Sequence, residues 1–135
     1  MSDRVYRGTF IEVTNTDGFE QVFLKGSVHT FLITSVKLIM LTIERSLTSA
    51  ALREKLQGGI IESGEDPQAA AKRELREELG LQAGTWQQWL TQTQKGAVND
   101  TRHYFLARDV QRISSDRDGE VLATVEYSLD QLYAK

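Results

Sequence analysis

At 135 residues, 40% hydrophobic and 26% charged, the chain is sized for one domain with a real core and carries no mark of disorder. A net charge of −3 with no basic run argues against a nucleic-acid backbone as partner. Cysteine is absent, which excludes disulfides, thiolate metal sites and a cysteine nucleophile, and is compatible with a cytoplasmic setting. The N-terminus lacks an apolar signal core. The longest apolar run, residues 31–43, is interrupted by Lys37 and too short to span a bilayer, so no membrane role is expected.

Residues 5–14 alternate in part and are rich in β formers. The turn sequence Asn15-Thr16-Asp17-Gly18 and a second strand over 19–25 complete an expected N-terminal β-hairpin. Residues 29–34 and 37–44 predict two further strands joined by a short turn. A polar loop is expected over 46–54, and residues 55–61 lead into a glycine-containing turn. Asp66 suits an N-cap, Pro67 the first helical position and Gly80 a helix end, so the Ala-, Leu-, Glu-, Lys- and Arg-rich stretch between them predicts a helix over 67–79. Beyond it come a strand over 81–93 with Trp86 and Trp89, a loop over 94–101, a short strand over 103–108 and a polar loop over 114–119. A strand over 121–127 and a last turn over 129–133, capped by Ser128, end the chain. Strands before and after a central helix predict a single α/β domain, a sandwich around a mixed sheet.

The helix carries the chemistry. At about 100° per residue, Ala71, Leu75 and Leu79 form one apolar stripe, while Glu74, Glu77 and Glu78 crowd an adjacent arc. Like charges at that spacing repel and raise one another's pKa unless a cation neutralises them. A hard divalent ion with oxygen ligands, held by a few carboxylates and substrate phosphates, is the natural partner. Arg73 is in reach of Glu77 or Glu65, and Gly59 and Gly64 permit tight turns before the helix. The plain alternative is a solvated acidic helix face.

Residues 59–81 fit the Nudix box at every position: Gly59, Glu65, Arg73, Glu74, Glu77, Glu78 and Gly80, with Leu75 and Leu81 in the apolar slots. The chain thus resembles the Nudix hydrolases, which cleave a nucleoside diphosphate linked to another group. Outside the box it most resembles the ADP-ribose pyrophosphatase branch: the N-terminal hairpin, the 96–100 and 103–109 segments and the 120–132 ending carry that likeness. It departs before the box, where Glu54-Lys55-Leu56-Gln57-Gly58-Gly59 stands in place of Trp-Glu-Leu-Pro and two small residues, and it has at most a stub of the branch's C-terminal helix.

The resemblance implies the Nudix fold, an α/β/α sandwich, and Mg2+ or Mn2+ as cofactor. Glu74 and Glu78 would be metal ligands, Glu77 a further ligand or base, and the Gly58 carbonyl part of the shell. Arg73 and Glu65 would hold the glutamates in place. Glu120, after the polar loop, is the candidate general base; its other reading is an ordinary strand-edge glutamate. The substrate would be a nucleotide, first of all ADP-ribose or another nucleoside diphosphate sugar, and the assembly a homodimer. Two alternatives stand beside this: a nucleoside triphosphate pyrophosphohydrolase, and a Nudix-fold binding module without turnover. His29 and His103 read as structural, Trp86 and Trp89 as packing, and Arg45, Arg102 and Arg108 as surface charges.

Overall fold

The computed structural model describes residues 2–114 and 121–135. Three strands open the chain: β1 (Ser2–Arg7), β2 (Ile11–Thr16) and β3 (Phe19–Leu24). The expected hairpin is β2–β3, closed by the two residues Asp17 and Gly18 with φ of 52° and 90°. Positive φ at both positions is the turn that matches strand twist. The single strand expected over 5–14 is broken: Gly8 N donates to Ile11 O at 2.8 Å, and the chain folds back there, adding β1 as a third strand.

The central strands are β4 (Ser27–Ile33) and β5 (Ile39–Arg45). The stretch expected as a loop over 46–54 is a turn followed by β6 (Leu52–Lys55), and β7 (Gln57–Ile60) comes next. β6 pairs with β5 and β7 with β4, so this continuous segment fills the gap where β4 and β5 diverge. The helix α1 spans Pro67–Leu79, as the sequence predicts. Asp66 accepts from Gln68 N at 3.1 Å and Ala69 N at 3.3 Å, and Gly80 ends the helix in the left-handed region at φ 64°.

Two long strands follow, β8 (Leu81–Gln94) and β9 (Val98–Arg112). The loop expected over 94–101 shrinks to 95–97, because residues 98–99 pair in parallel with β3. β10 (Val121–Tyr127) and α2 (Leu129–Tyr133) complete the described chain. The spine of the sheet runs β1-β2-β3-β9-β4-β5-β10. β9 lies parallel to β3 and β4 and antiparallel to β8, so the sheet is mixed.

The α/β class and central mixed sheet follow the expectation, with few helices: the described residues hold one of 13 residues and one of 5. Ala70, Ala71, Leu75 and Leu79 bury the apolar stripe of α1 against Val28, Leu32, Leu81, Phe105 and Ala107. That contact fixes which way the acidic arc of the helix faces. Among the described residues, no helix is long and apolar enough to cross a membrane.

Candidate active site

Gly58 and Gly59 permit two close approaches to β7, by β4 and by α1. A methyl group on Gly58 would stand 2.0 Å from Val28 O, and one on Gly59 would stand 2.4 Å from Glu74 Cδ. Only glycine leaves room there for the neighbouring strand and for the Glu74 carboxyl.

Arg73 is the hub on the other side of that carboxyl. Its Nε donates to Glu65 Oε2 at 2.8 Å and its Nη2 to Glu65 Oε1 at 3.0 Å, a two-pronged bond of guanidinium to carboxylate. Nη2 also donates to Ile60 O at 3.1 Å, and Nη1 to Glu74 Oε1 at 2.9 Å and Glu77 Oε2 at 3.2 Å. One side chain thereby ties the loop, β7 and the helix together. Arg73 in turn holds the Glu65 carboxyl below its usual range, helped by the Glu62 N–H that donates to it at 3.1 Å.

Glu78 lies one turn beyond Glu74 on α1 and is partly buried as well. Gln57 Nε2 donates to Glu78 Oε2 at 3.3 Å. Burial, then hydrogen bonding and charge from Glu74, push the Glu78 carboxyl up to about 8, with the negative charge of Glu44 adding to the effect. Glu74, Glu78, Gly58 and Gly59 line one cavity of about 540 Å³. Glu77 is not among its lining residues; its side chain is 48% exposed and rests on Arg73. Glu120 lies outside the described residues.

The same cavity gathers residues that local sequence patterns do not mark. Glu44 on β5 is buried, accepts from Thr42 Oγ1 at 3.0 Å and pairs with Lys55 Nζ at 3.4 Å. Lys55 ends β6, and Lys25, Thr9 and Phe10 come from the N-terminal strands and their connections. His29, expected as structural, faces this cavity as well. It stacks on Tyr104 at 5.1 Å and shares a hydrogen bond with Ser27 Oγ at 3.0 Å. Burial, then the charges of Arg102 and Lys55, keep its pKa below the usual value, so it is neutral at pH 7. His103 stands away from the cavity, 3.4 Å from Thr91 Oγ1. Trp86 packs edge-on against Phe105 at 6.3 Å, as the packing reading has it.

A hard divalent cation suits this donor set. Acidic side chains meet in one cavity, and burial together with the nearness of Glu74 keeps the Glu78 carboxyl protonated at neutral pH, which is the electrostatic state a cation relieves. Among the described residues no three acidic or histidine side chains already stand in ligand geometry. Backbone, water and substrate oxygens would therefore have to complete the shell, as is usual for Mg2+. A second cavity, of about 530 Å³, opens near the C-terminal end of α1 between Leu79, Arg108 and Arg112. Asp109 is the one acid among its described lining residues, so it lacks comparable donors.

The chain is similar in structure to an ADP compounds hydrolase, with a TM-score of 0.76 and 20% identity, over 98% of this chain and 78% of that one. A NUDIX hydrolase from Nitrosomonas europaea gives a TM-score of 0.67 at 19% identity, over 82% and 76% of the two chains. MutT, in a structure from work on Aliivibrio salmonicida and Vibrio cholerae, gives 0.63 at 19%, over 81% and 83%. At such identities these likenesses establish the fold alone. None of the curated proteins matches the chain by sequence. Residues 25–135, however, match the NUDIX domain, a stretch that takes in the glutamate helix and the strands bearing Glu44, Lys55 and Gly58. On that match the chain belongs to the Nudix family of pyrophosphohydrolases.

Proposed function

We propose that the protein is a metal-dependent hydrolase of nucleoside diphosphates linked to a second group, with ADP-ribose or another nucleoside diphosphate sugar as the substrate. The observation that carries this reading is the composition of the cavity: Glu74 and Glu78 beside the Gly58 backbone, with Lys25 and Lys55 in the same space. Acids that suit a divalent ion and ammonium groups that suit phosphoryl oxygens are what a bridging diphosphate needs. The likeness in fold to an ADP compounds hydrolase is in keeping with this reading, and the likeness to MutT keeps triphosphate cleavage as the alternative.

In this proposal Glu74, Glu78 and the Gly58 carbonyl hold Mg2+ or Mn2+, with Glu77 as a further ligand or base. The ion supplies positive charge against the diphosphate and acidifies water. Arg73 fixes the Glu74 carboxyl, and Gln57 orients that of Glu78. Glu120 is the proposed acceptor of the proton from the attacking water. Water adds to one phosphorus, the bridging P–O bond breaks, and ADP-ribose gives AMP and ribose phosphate. We further propose that the protein works as a homodimer.

A panel of ADP-ribose, other nucleoside diphosphate sugars and nucleoside triphosphates, incubated with Mg2+ and analysed for products, tests the reading. AMP from ADP-ribose supports it. Pyrophosphate and a monophosphate from triphosphates alone would replace it with the MutT-like reaction. Ligand binding without any product would make the chain a non-catalytic binding module.

A further inference from the structure

Resting on the diphosphate-hydrolase reading above, we propose that Lys55 is a substrate-binding residue that grips a phosphoryl oxygen of the bound diphosphate, aimed by Glu44 and Thr42. The described lining of the cavity holds four acidic side chains, Glu44, Glu62, Glu74 and Glu78, and two ammonium groups, Lys25 and Lys55. A diphosphate entering this space brings further negative charge, and a divalent ion offsets only part of it.

Of the two lysines, only Lys55 is anchored among the described residues. Its Nζ lies 3.4 Å from Glu44 Oε2, and that oxygen also accepts from Thr42 Oγ1 at 3.0 Å. The register places Thr42 opposite Lys55 across β5 and β6, and the Thr42 hydroxyl also lies 3.3 Å from Lys55 O. The lysine is thus tethered at its head by Glu44 and at its backbone by the β5–β6 pairing. An ammonium has three N–H donors, and the one carboxylate leaves others for a ligand. The side chain is 44% exposed while Glu44 is 12% exposed, so the acid is the buried anchor and the ammonium the reaching end. An aimed side chain loses little rotamer freedom on binding, whereas Lys25 must give up most of its own.

The competing role for Lys55 is neutralisation of buried Glu44, with no contact to substrate. Lys55→Met separates the two. Wild type, Lys55→Met and Lys55→Arg are assayed with Mg2+ on the best diphosphate substrate of the panel. In parallel, a methylene-bridged analogue of that substrate is titrated by calorimetry with Ca2+ present. In Lys55→Met, KM and the analogue Kd should each rise about tenfold or more with kcat within about threefold, as expected for loss of binding shared by ground and transition states. Lys55→Arg should recover most of the loss. Unchanged KM and Kd with a lowered melting temperature would assign Lys55 to Glu44 alone and overturn the proposal. A wild-type protein that cleaves no diphosphate would instead overturn the hydrolase reading on which this rests.

Discussion

Glu78 is a carboxyl in surroundings that disfavour its charge. Gln57, Glu74 and burial set its state, and a divalent ion is what would let it ionise at neutral pH. Glu78→Gln keeps the shape and removes that charge. Turnover should fall about 10^2-fold or more, on the order of 3 kcal/mol at a reacting centre. Steady-state rates in saturating Mg2+ check this, and near-normal turnover would take Glu78 out of the mechanism. Gly59→Ala probes the same centre from the strand. The added methyl meets the Glu74 carboxyl at 2.4 Å, so that carboxyl must move. The variant should keep its circular dichroism while losing most of the rise in melting temperature that Mg2+ gives the wild type; an undiminished rise would mean that Glu74 does not need its cradle. At this scale the meeting of Arg73, Glu74 and Glu78 was legible in the sequence, because helix geometry alone sets their spacing, whereas Glu77 turns to Arg73 and away from the cavity. Glu44, Lys55 and Gln57 were not legible. They reach the cavity through β5–β6 and β4–β7 pairing, and no local pattern encodes such a meeting.

The helix is the element whose limits could be read outright. Asp66, Pro67 and Gly80 act within a turn of themselves, so α1 begins and ends where the sequence says. What fastens α1 to the loop before it is Arg73 with Glu65, and this link is pH-sensitive. The folded state keeps the Glu65 carboxyl below its ordinary 4.5. A depressed carboxylate pKa contributes stability that is present above the unfolded value and lost as pH falls through the folded one. Melting temperature should therefore drop on acidification below about 4.5, and Glu65→Gln should flatten that part of the profile while lowering stability at pH 7. An identical acid limb in the variant would remove Glu65 from the link. Strand limits were less legible. Residues 98–101 read as loop because polar Asn99, Asp100 and Thr101 follow a glycine, yet pairing with β3 and β8 draws them into β9. Residues 52–55 were hidden in the same way: four exposed positions give no alternation, and only β5 makes them a strand.

Across the whole molecule, the three N-terminal strands stand apart from α1. Their register sets Tyr6 opposite Val13, Val13 opposite Val22 and Val22 opposite Val98, an apolar row across four strands. Tyr6 is 54% exposed and Val98 is 38% exposed. A row of this kind facing water favours association, and it is the surface on which the proposed homodimer would form. Sedimentation should report twice the 15.3 kDa chain mass, and Tyr6→Lys with Val22→Lys should shift the protein to the single-chain mass. A wild-type species of 15.3 kDa at every concentration would reject the dimer.

These outer strands are secured to the central sheet largely through residues 22–23 on β3 and 98–99 on β9, yet Thr9, Phe10 and Lys25 around them reach the cavity. The residues proposed to hold the ion sit on α1 and β7; part of the wall of the same cavity belongs to another portion of the chain. Drift in that outer ribbon can therefore retune which molecules are admitted while the scissors remain as they were.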